Sequence, residues 1–190
     1  MSFLKSKDNC YFIPNPTDEA IDSLNIFNND CENDVFFAMS HGVHRGVLKT
    51  GKTDTRIRFL NRLVKSNDKI KYDFYGYNNI QPIWADNFLA TITKSKMGLN
   101  LSRGHSIKYY SSDRIAQFMG NGLVTLIDEQ TQYNDFFTDQ EMVFYKNQND
   151  LIEKILRIKH DEKLRKKIGR NGKLKYKSGG KSGIFINDSI

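Results

Sequence analysis

Apolar residues fall into short blocks divided by polar, Gly-containing turns, and the spacing inside the blocks switches between two periods. DVFFAMS (Asp34–Ser40), MGLNLS (Met97–Ser102) and LVTLID (Leu123–Asp128) are near-continuous apolar runs too short for helices. That is the pattern of strands buried on both faces. IKYDFYGY (Ile70–Tyr77) alternates as a strand, EMVFYKN (Glu141–Asn147) predicts another, and CYFIP (Cys10–Pro14) a short one. Between them, RIRFLNRLVK places Ile57, Leu60, Leu63 and Val64 at helical spacing. Further helices are predicted from Trp84 or Asp86 to Ser95, over SDRIAQFMGNG with Gly120 and Gly122 at its stop, and over DLIEKILRIKH and EKLRKKIGRNGKLKYK. A brief helix capped by Thr17 or Asp18 is expected after Pro14-Asn15-Pro16, then a polar turn over Asn28–Asp34. TQYNDFFTDQ (Thr131–Gln140) is expected as a loop, and SGGKSGIFINDSI (Ser178–Ile190), polar, Gly-rich and aperiodic, as a frayed tail.

Strands alternating with helices of about ten residues give the rhythm of an α/β fold: a Rossmann-like open parallel sheet with helices on both faces. Ligands of such sheets sit at the carboxyl ends of strands. Three loops meet that condition: Ser40–Gly46, Arg103–Ser112 and Asp128–Phe137.

Composition narrows the class without naming a chemistry. Of 190 residues, 38% are hydrophobic and 12% aromatic, enough for a folded core. No run approaches a bilayer span, and MSFLKSKDNC has no apolar signal core. Cys10 and Cys31 fit neither a disulfide framework nor a zinc pattern, so a cytoplasmic chain is expected. The net charge of +7 is uneven: Leu151–Lys181 carries 12 Lys or Arg against 3 Asp or Glu, leaving 17 against 19 elsewhere. A basic tail suits a solvated helix, a nucleic acid or an anionic membrane surface.

In SHGVHRG, Gly42 and Gly46 permit close backbone approach to a ligand, and Arg45 offers a guanidinium fork for phosphate. His41 and His44 are three apart with no third ligand near, so a hydrogen-bonding loop is preferred to a metal site. LSRGHSIKYYSSDR brings Arg103 and Lys108, with Ser111 and Ser112 at a helix start. Two readings remain open there: capping by Ser112, or an anion held by free N–H groups at the positive helix end. Nucleophile–base pairs, G-x-S-x-G, P-loop and G-x-G-x-x-G motifs are absent. Asp54, Asp73, Asp86, Asp113 and Asp128 read as caps and turn acids.

The succession DVFFAMSHG, RIRFLNRL, KMGLNLSRG, YYSSDRIAQFMGNGLVTLID and EKLRKKIGRNGK resembles the C-terminal, donor-binding half of GT-B glycosyltransferases, in the family 1-like group that includes spore-maturation-type proteins. The likeness covers Tyr11 to Tyr176 and is strongest from Ser102 to Asp128. It implies a glycosyltransferase binding a nucleotide-diphosphate sugar as substrate, with no cofactor and no metal. Ser112, Arg114 and Gly122 match the family's S-x-R-x-x-E-x-x-x-x-G, with Gln117 where the ribose-binding glutamate stands. The loop Ser40–Arg45 matches the glycine-rich loop by the donor phosphates. The donor site expected on this resemblance comprises Ser40, His41, Gly42, Arg45, Arg103, Gly104, Tyr110, Ser111, Ser112, Arg114 and Gln117.

The resemblance also implies a catalytic base and a glycan or lipid-linked acceptor on an N-terminal domain that the chain lacks. Residues 1–9 then read as that domain's remnant, 10–177 as the nucleotide-sugar domain and 178–190 as a flexible tail. A fragment or half of a split enzyme is expected, with a separate N-terminal-domain chain as partner and peripheral contact with the inner membrane face. Two other readings stand beside it: a nucleic-acid module using the basic helices, against which the absence of aromatic interleaving counts, and a non-catalytic remnant.

Overall fold

The computed structural model describes residues 14–40, 43–44, 47–48, 54–104 and 106–182. In chain order they form β1 (Asn33–Ala38), β2 (Val43–His44), β3 (Val47–Leu48), α1 (Thr55–Ser66), β4 (Tyr72–Tyr75), α2 (Ala85–Ile92), β5 (Ser95–Asn100), α3 (Asp113–Gly120), β6 (Val124–Asp128), β7 (Val143–Tyr145), α4 (Gln148–His160) and α5 (Glu162–Ser182). Five strands make one sheet in the order β4-β1-β5-β6-β7, and every pairing is parallel. β2 and β3 pair as a separate antiparallel hairpin.

The continuous apolar run of β1 is explained by burial on both faces. Val35, Phe37 and Met39 join Leu60 and Leu63 of α1 and Leu151, Ile155 and Ile158 of α4. Phe36 and Ala38 join Phe88 and Ile92 of α2 and Phe118 of α3. Phe36 meets Phe88 edge-on at 5.3 Å and Phe118 at 5.9 Å. A Cβ at Gly98 in β5 would lie 2.5 Å from the Phe118 ring, so the glycine sets how closely α3 approaches the sheet. Gly122 closes α3 with φ +73°, the left-handed geometry that favours glycine.

Of the expected first strand, Cys10–Ile13 lie outside the described residues, and Pro14 is in no strand. The expected helix near Thr17 is a turn instead. The Asp18 carboxylate accepts from Ala20 N at 2.9 Å and that of Asp22 from Asp18 N at 3.0 Å, so side chains take the backbone donors a helix would use. Thr131–Gln140 is the expected loop, but a packed one: with the 3-10 turn Tyr133–Asp135 it buries Tyr133, Phe136 and Phe137 in one cluster with Tyr176. α5 continues to Ser182, past residue 178 where the tail was expected to begin, and residues 183–190 of that tail lie outside the described residues. Once a long helix is nucleated and docked, adding residues is cheap even where glycine weakens propensity.

The basic C-terminal region is partly a structural clamp. Arg165 is 1% exposed and donates to the carbonyls of Ile26, Phe27 and Asn29 and to Glu162. Lys173 donates to Ser23 and Leu24 carbonyls and to Asn25 Oδ1. Lys159 donates to the buried carboxylate of Asp34 at 2.8 Å. Tyr176 donates to Asn15 O at 2.8 Å, fastening the first described residues to α5.

Candidate functional site

The strand order creates a switch point. From β1 the chain turns to α1 on one face of the sheet, and from β5 it turns to α3 on the other. The loops after adjacent strands therefore part, and a crevice opens above the carboxyl ends of β1 and β5. A cavity of about 260 Å³ lies there. Thr55, Arg56 and Phe59 of α1 form one wall; Asn100, Leu101, Ser102, Gly104 and Ser106 form the second. Asp128, Gln130 and Thr131 after β6 and Tyr145 of β7 close it.

Asp54 organises the first wall. It caps α1 by accepting Arg56 N at 3.0 Å, and it takes the Arg56 fork through Nε at 2.9 Å and Nη2 at 2.7 Å. Its side chain has no solvent exposure. The hydrogen bonds and charge of Arg56 hold its carboxyl well below the ordinary aspartate range, so it is ionised. Arg103 joins it from the second loop, Nε to Oδ2 at 3.4 Å, while remaining largely exposed. Arg114, from the first turn of α3, donates to Leu101 O at 3.2 Å and lies 4.9 Å over the Phe37 ring. Burial, with Arg56 as the next cause, pushes its pKa down to about 10, still cationic at neutral pH. Two guanidinium groups, Arg56 and Arg103, thus share the Asp54 carboxylate, and a third, Arg114, lies within electrostatic reach of Arg56, a local concentration of positive charge that favours an anion.

The structure sorts the residues expected from sequence. Gly104 lines the cavity, with φ +78° and open space where a Cβ would be. Arg103 and Arg114 belong to the arginine cluster at its edge. Ser112 caps α3, accepting from Ile115 N at 3.4 Å, and donates to Asn100 Oδ1 at 3.3 Å. Ser111 is engaged elsewhere: its Oγ accepts from Asn15 N at 2.7 Å and interacts with the hydroxyls of Tyr133 and Tyr176. Tyr110 is exposed and acts electrostatically on Arg114. Ser40 is exposed beyond β1, and Gln117 is half-buried on the second turn of α3, outside the cavity lining. His41, Gly42 and Arg45 lie outside the described residues.

Sequence reasoning missed the Arg56–Asp54 pair and the acceptor end of the cavity. There Asp128 takes Ser106 Oγ at 2.6 Å and Gln130 N at 2.9 Å. Asp54 and Asp128 are indeed caps, as expected; nothing in the sequence spacing says that Asp54 also pairs with Arg56 and Arg103 or that Asp128 also faces the cavity. Among the described residues no group of three or more His, Cys, Asp or Glu is placed to hold a metal.

A parallel sheet of this order with an anion-favouring switch point is one Rossmann-like half of the GT-B glycosyltransferase fold. The chain belongs to the glycosyl transferase-like family, whose model matches residues 54–179. Curated protein sequences include no match to it. Among solved structures it is similar to TarM, with a TM-score of 0.56 and 14% identity over 86% of this chain and 34% of that one. It is similar to the β-glucosyltransferase of T4 phage, with a TM-score of 0.54 and 13% identity over 92% of this chain and 52% of that one. A further structure of a DNA-modifying β-glucosyltransferase, solved with and without its substrate uridine diphosphoglucose, matches at TM-score 0.55 and 14% identity over 92% and 52%. The chain spans about a third to a half of the length of these proteins.

Proposed function

We propose that the chain binds a nucleoside-diphosphate sugar in the switch-point crevice and serves as the donor half of a glycosyltransferase. The observation that carries this is the concentration of cationic charge at the crevice: Arg56 and Arg103 share the buried carboxylate of Asp54, and the desolvated Arg114 lies within electrostatic reach of Arg56. A diphosphate supplies the missing negative charge. As the glycosidic bond to phosphate breaks, charge grows on the departing diphosphate, and fixed guanidinium groups stabilise it without reorganising. Arg114 is suited to this because it is already desolvated and held by Leu101 and Phe37. The positive end of α3 adds to the same field.

Metal independence is part of the proposal, since the arginines supply the charge that a cation would otherwise bring. The sugar carbon would pass through an oxocarbenium-like state, with the catalytic base and the glycan or lipid-linked acceptor supplied by a facing domain. A cytoplasmic location, at most peripheral to the membrane face, fits this reading; no helix among the described residues is long and apolar enough to cross a bilayer.

The test is a thermal-shift titration of the 190-residue chain with UDP, GDP, ADP and CDP, with and without magnesium or manganese. A ligand at about 100 times its Kd stabilises the native state by roughly 2.7 kcal/mol. A shift with at least one nucleotide, unchanged by metal and lost in Arg114→Ala, is expected. No shift with any nucleotide refutes binding by this chain, and a shift that requires metal refutes the metal-independent form.

A further inference from the structure

One side chain in the wall of the crevice carries a buried polar atom without a partner among the described residues. Tyr145, the last residue of β7, is 2% exposed, and its hydroxyl makes no hydrogen bond among the described residues. The same side chain lines the cavity together with Asp128 and Ser106. The Tyr145 ring packs on Phe59 with centroids 6.4 Å apart, which fixes where the hydroxyl ends. Asp128 and Arg114 act on it with opposite sign, the carboxylate opposing ionisation of the phenol and the arginine favouring it. Burial is the largest influence and keeps the phenol protonated, hence a donor.

A buried hydroxyl without a partner destabilises a fold, whereas phenylalanine would fill the same space without that cost. A ligand that brings an acceptor removes the cost on binding. The charges divide the cavity into two ends. Arg56 and Arg103, which share Asp54, mark an anion-binding end, while Arg114 acts on both Arg56 and Tyr145. Asp128 marks the other, where a phosphate is repelled but a hydroxyl is welcome.

Resting on the nucleoside-diphosphate reading of this crevice, we infer that the Tyr145 hydroxyl donates a hydrogen bond to an uncharged oxygen of the ligand beside Asp128. The ligand is thereby oriented: diphosphate toward Arg56 and Arg103, uncharged hydroxyl-bearing part toward Tyr145. Tyr145 is a recognition residue on this view, and its role is separable from folding.

Tyr145→Phe distinguishes the possibilities, with Tyr72→Phe as the control. The Tyr72 hydroxyl donates to Leu63 O at 3.2 Å, outside the cavity lining. The probes are UDP, GDP, ADP, CDP and inorganic diphosphate, followed by thermal shift and calorimetry. Tyr145→Phe is expected to be at least as stable as wild type without ligand, and to bind the preferred nucleoside diphosphate about two- to tenfold more weakly, the range of one neutral hydrogen bond. Its affinity for inorganic diphosphate is unchanged. Tyr72→Phe shows the reverse: lower stability, equal affinity. Equal affinity of Tyr145→Phe and wild type for a nucleoside diphosphate that wild type binds overturns the inference and leaves the nucleotide reading standing. An equal loss with inorganic diphosphate overturns the orientation, because it places the hydroxyl at the phosphates. A wild-type chain that responds to none of the five probes removes the nucleotide reading and this inference with it.

Discussion

Asp54→Asn tests the charge arrangement most directly. The carboxylate is fully buried, caps α1 and takes both arms of the Arg56 fork. Asparagine keeps the size and most of the cap. It turns one acceptor into an N–H donor facing an Arg56 donor, and it leaves the Arg56 and Arg103 guanidinium groups without their local counter-charge. Removing one partner of a buried ion pair costs about 3–5 kcal/mol. The retained cap sets the expected loss at the lower end, about 3 kcal/mol at pH 7. In a domain of this size each kcal/mol moves the midpoint by about 2–4 °C, so Tm falls by roughly 6–12 °C. The pH dependence has a fixed sign. Because the folded pKa of Asp54 lies below its ordinary 3.8, the unfolded chain takes up the proton first on acidification. The stabilisation is complete above the ordinary value and is lost as pH falls through the folded one. The gap between variant and wild type therefore stays open down to about pH 4 and closes below it. Thermal and urea unfolding across that range measure both effects. A variant within about 1 °C of wild type at pH 7, on the same scaling, refutes the reasoning. So does a gap that acid leaves unchanged.

Gly98→Ala puts a Cβ 2.5 Å from the Phe118 ring and 2.8 Å from Leu123, so overpacking of about 1–3 kcal/mol is expected in urea unfolding. Adding Phe118→Leu should recover part of it, whereas simple additivity would place the strain elsewhere. Arg165→Met keeps an apolar side chain there but removes the donors to the carbonyls of Ile26, Phe27 and Asn29; a loss of at least about 2 kcal/mol is expected, with faster amide exchange over residues 26–31. Unaltered exchange there would show that the clamp is dispensable. Replacing the exposed Lys166, Lys167 and Arg170 by alanine should leave nucleoside-diphosphate stabilisation unchanged in the thermal-shift titration. A loss would place the ligand on the basic helix rather than in the crevice.

The architecture was legible because it rests on patterns a chain cannot hide. β1, β5 and β6 must be buried on both faces, and their unbroken apolar runs show it. The loops after β1 and β5 follow from that alternation, and with them Arg103, Gly104 and Arg114 in or beside the crevice. What stayed hidden depends on distance in space rather than in sequence. Arg56 reads as one more arginine of a helix until Asp54 and Arg114 are seen around it. Tyr145 reads as strand filler, because only the packing of β7 against α1 brings it into the cavity lining. Arg165, Lys159 and Lys173 sit in a charge run whose commonest meaning is a solvated face, yet each is held by backbone carbonyls or a carboxylate. Ser111 seemed the twin of Ser112, but Asn15 claims it.

These contacts also separate the two meanings left open for the start of α3. Ser112 satisfies Ile115 N, and Ser111 ties the segment at Asn15 to the same place where Tyr176 of α5 holds it. The serines thus anchor α3 against the first described residues and the last helix. On the proposed reading, anion recognition falls to Arg114 two residues on, whose side chain reaches back to Leu101. Capping and ligand binding are then not rival uses of one cluster. A desolvated guanidinium stabilises a growing negative charge only if it cannot relax away from it. The hydroxyls of Ser111 and Ser112 supply that rigidity, so Ser111→Ala is expected to loosen the helix start and weaken diphosphate binding in proportion, without removing any group that touches the ligand. Weakened binding at unchanged stability would instead make Ser111 a direct ligand and contradict the division of labour drawn here.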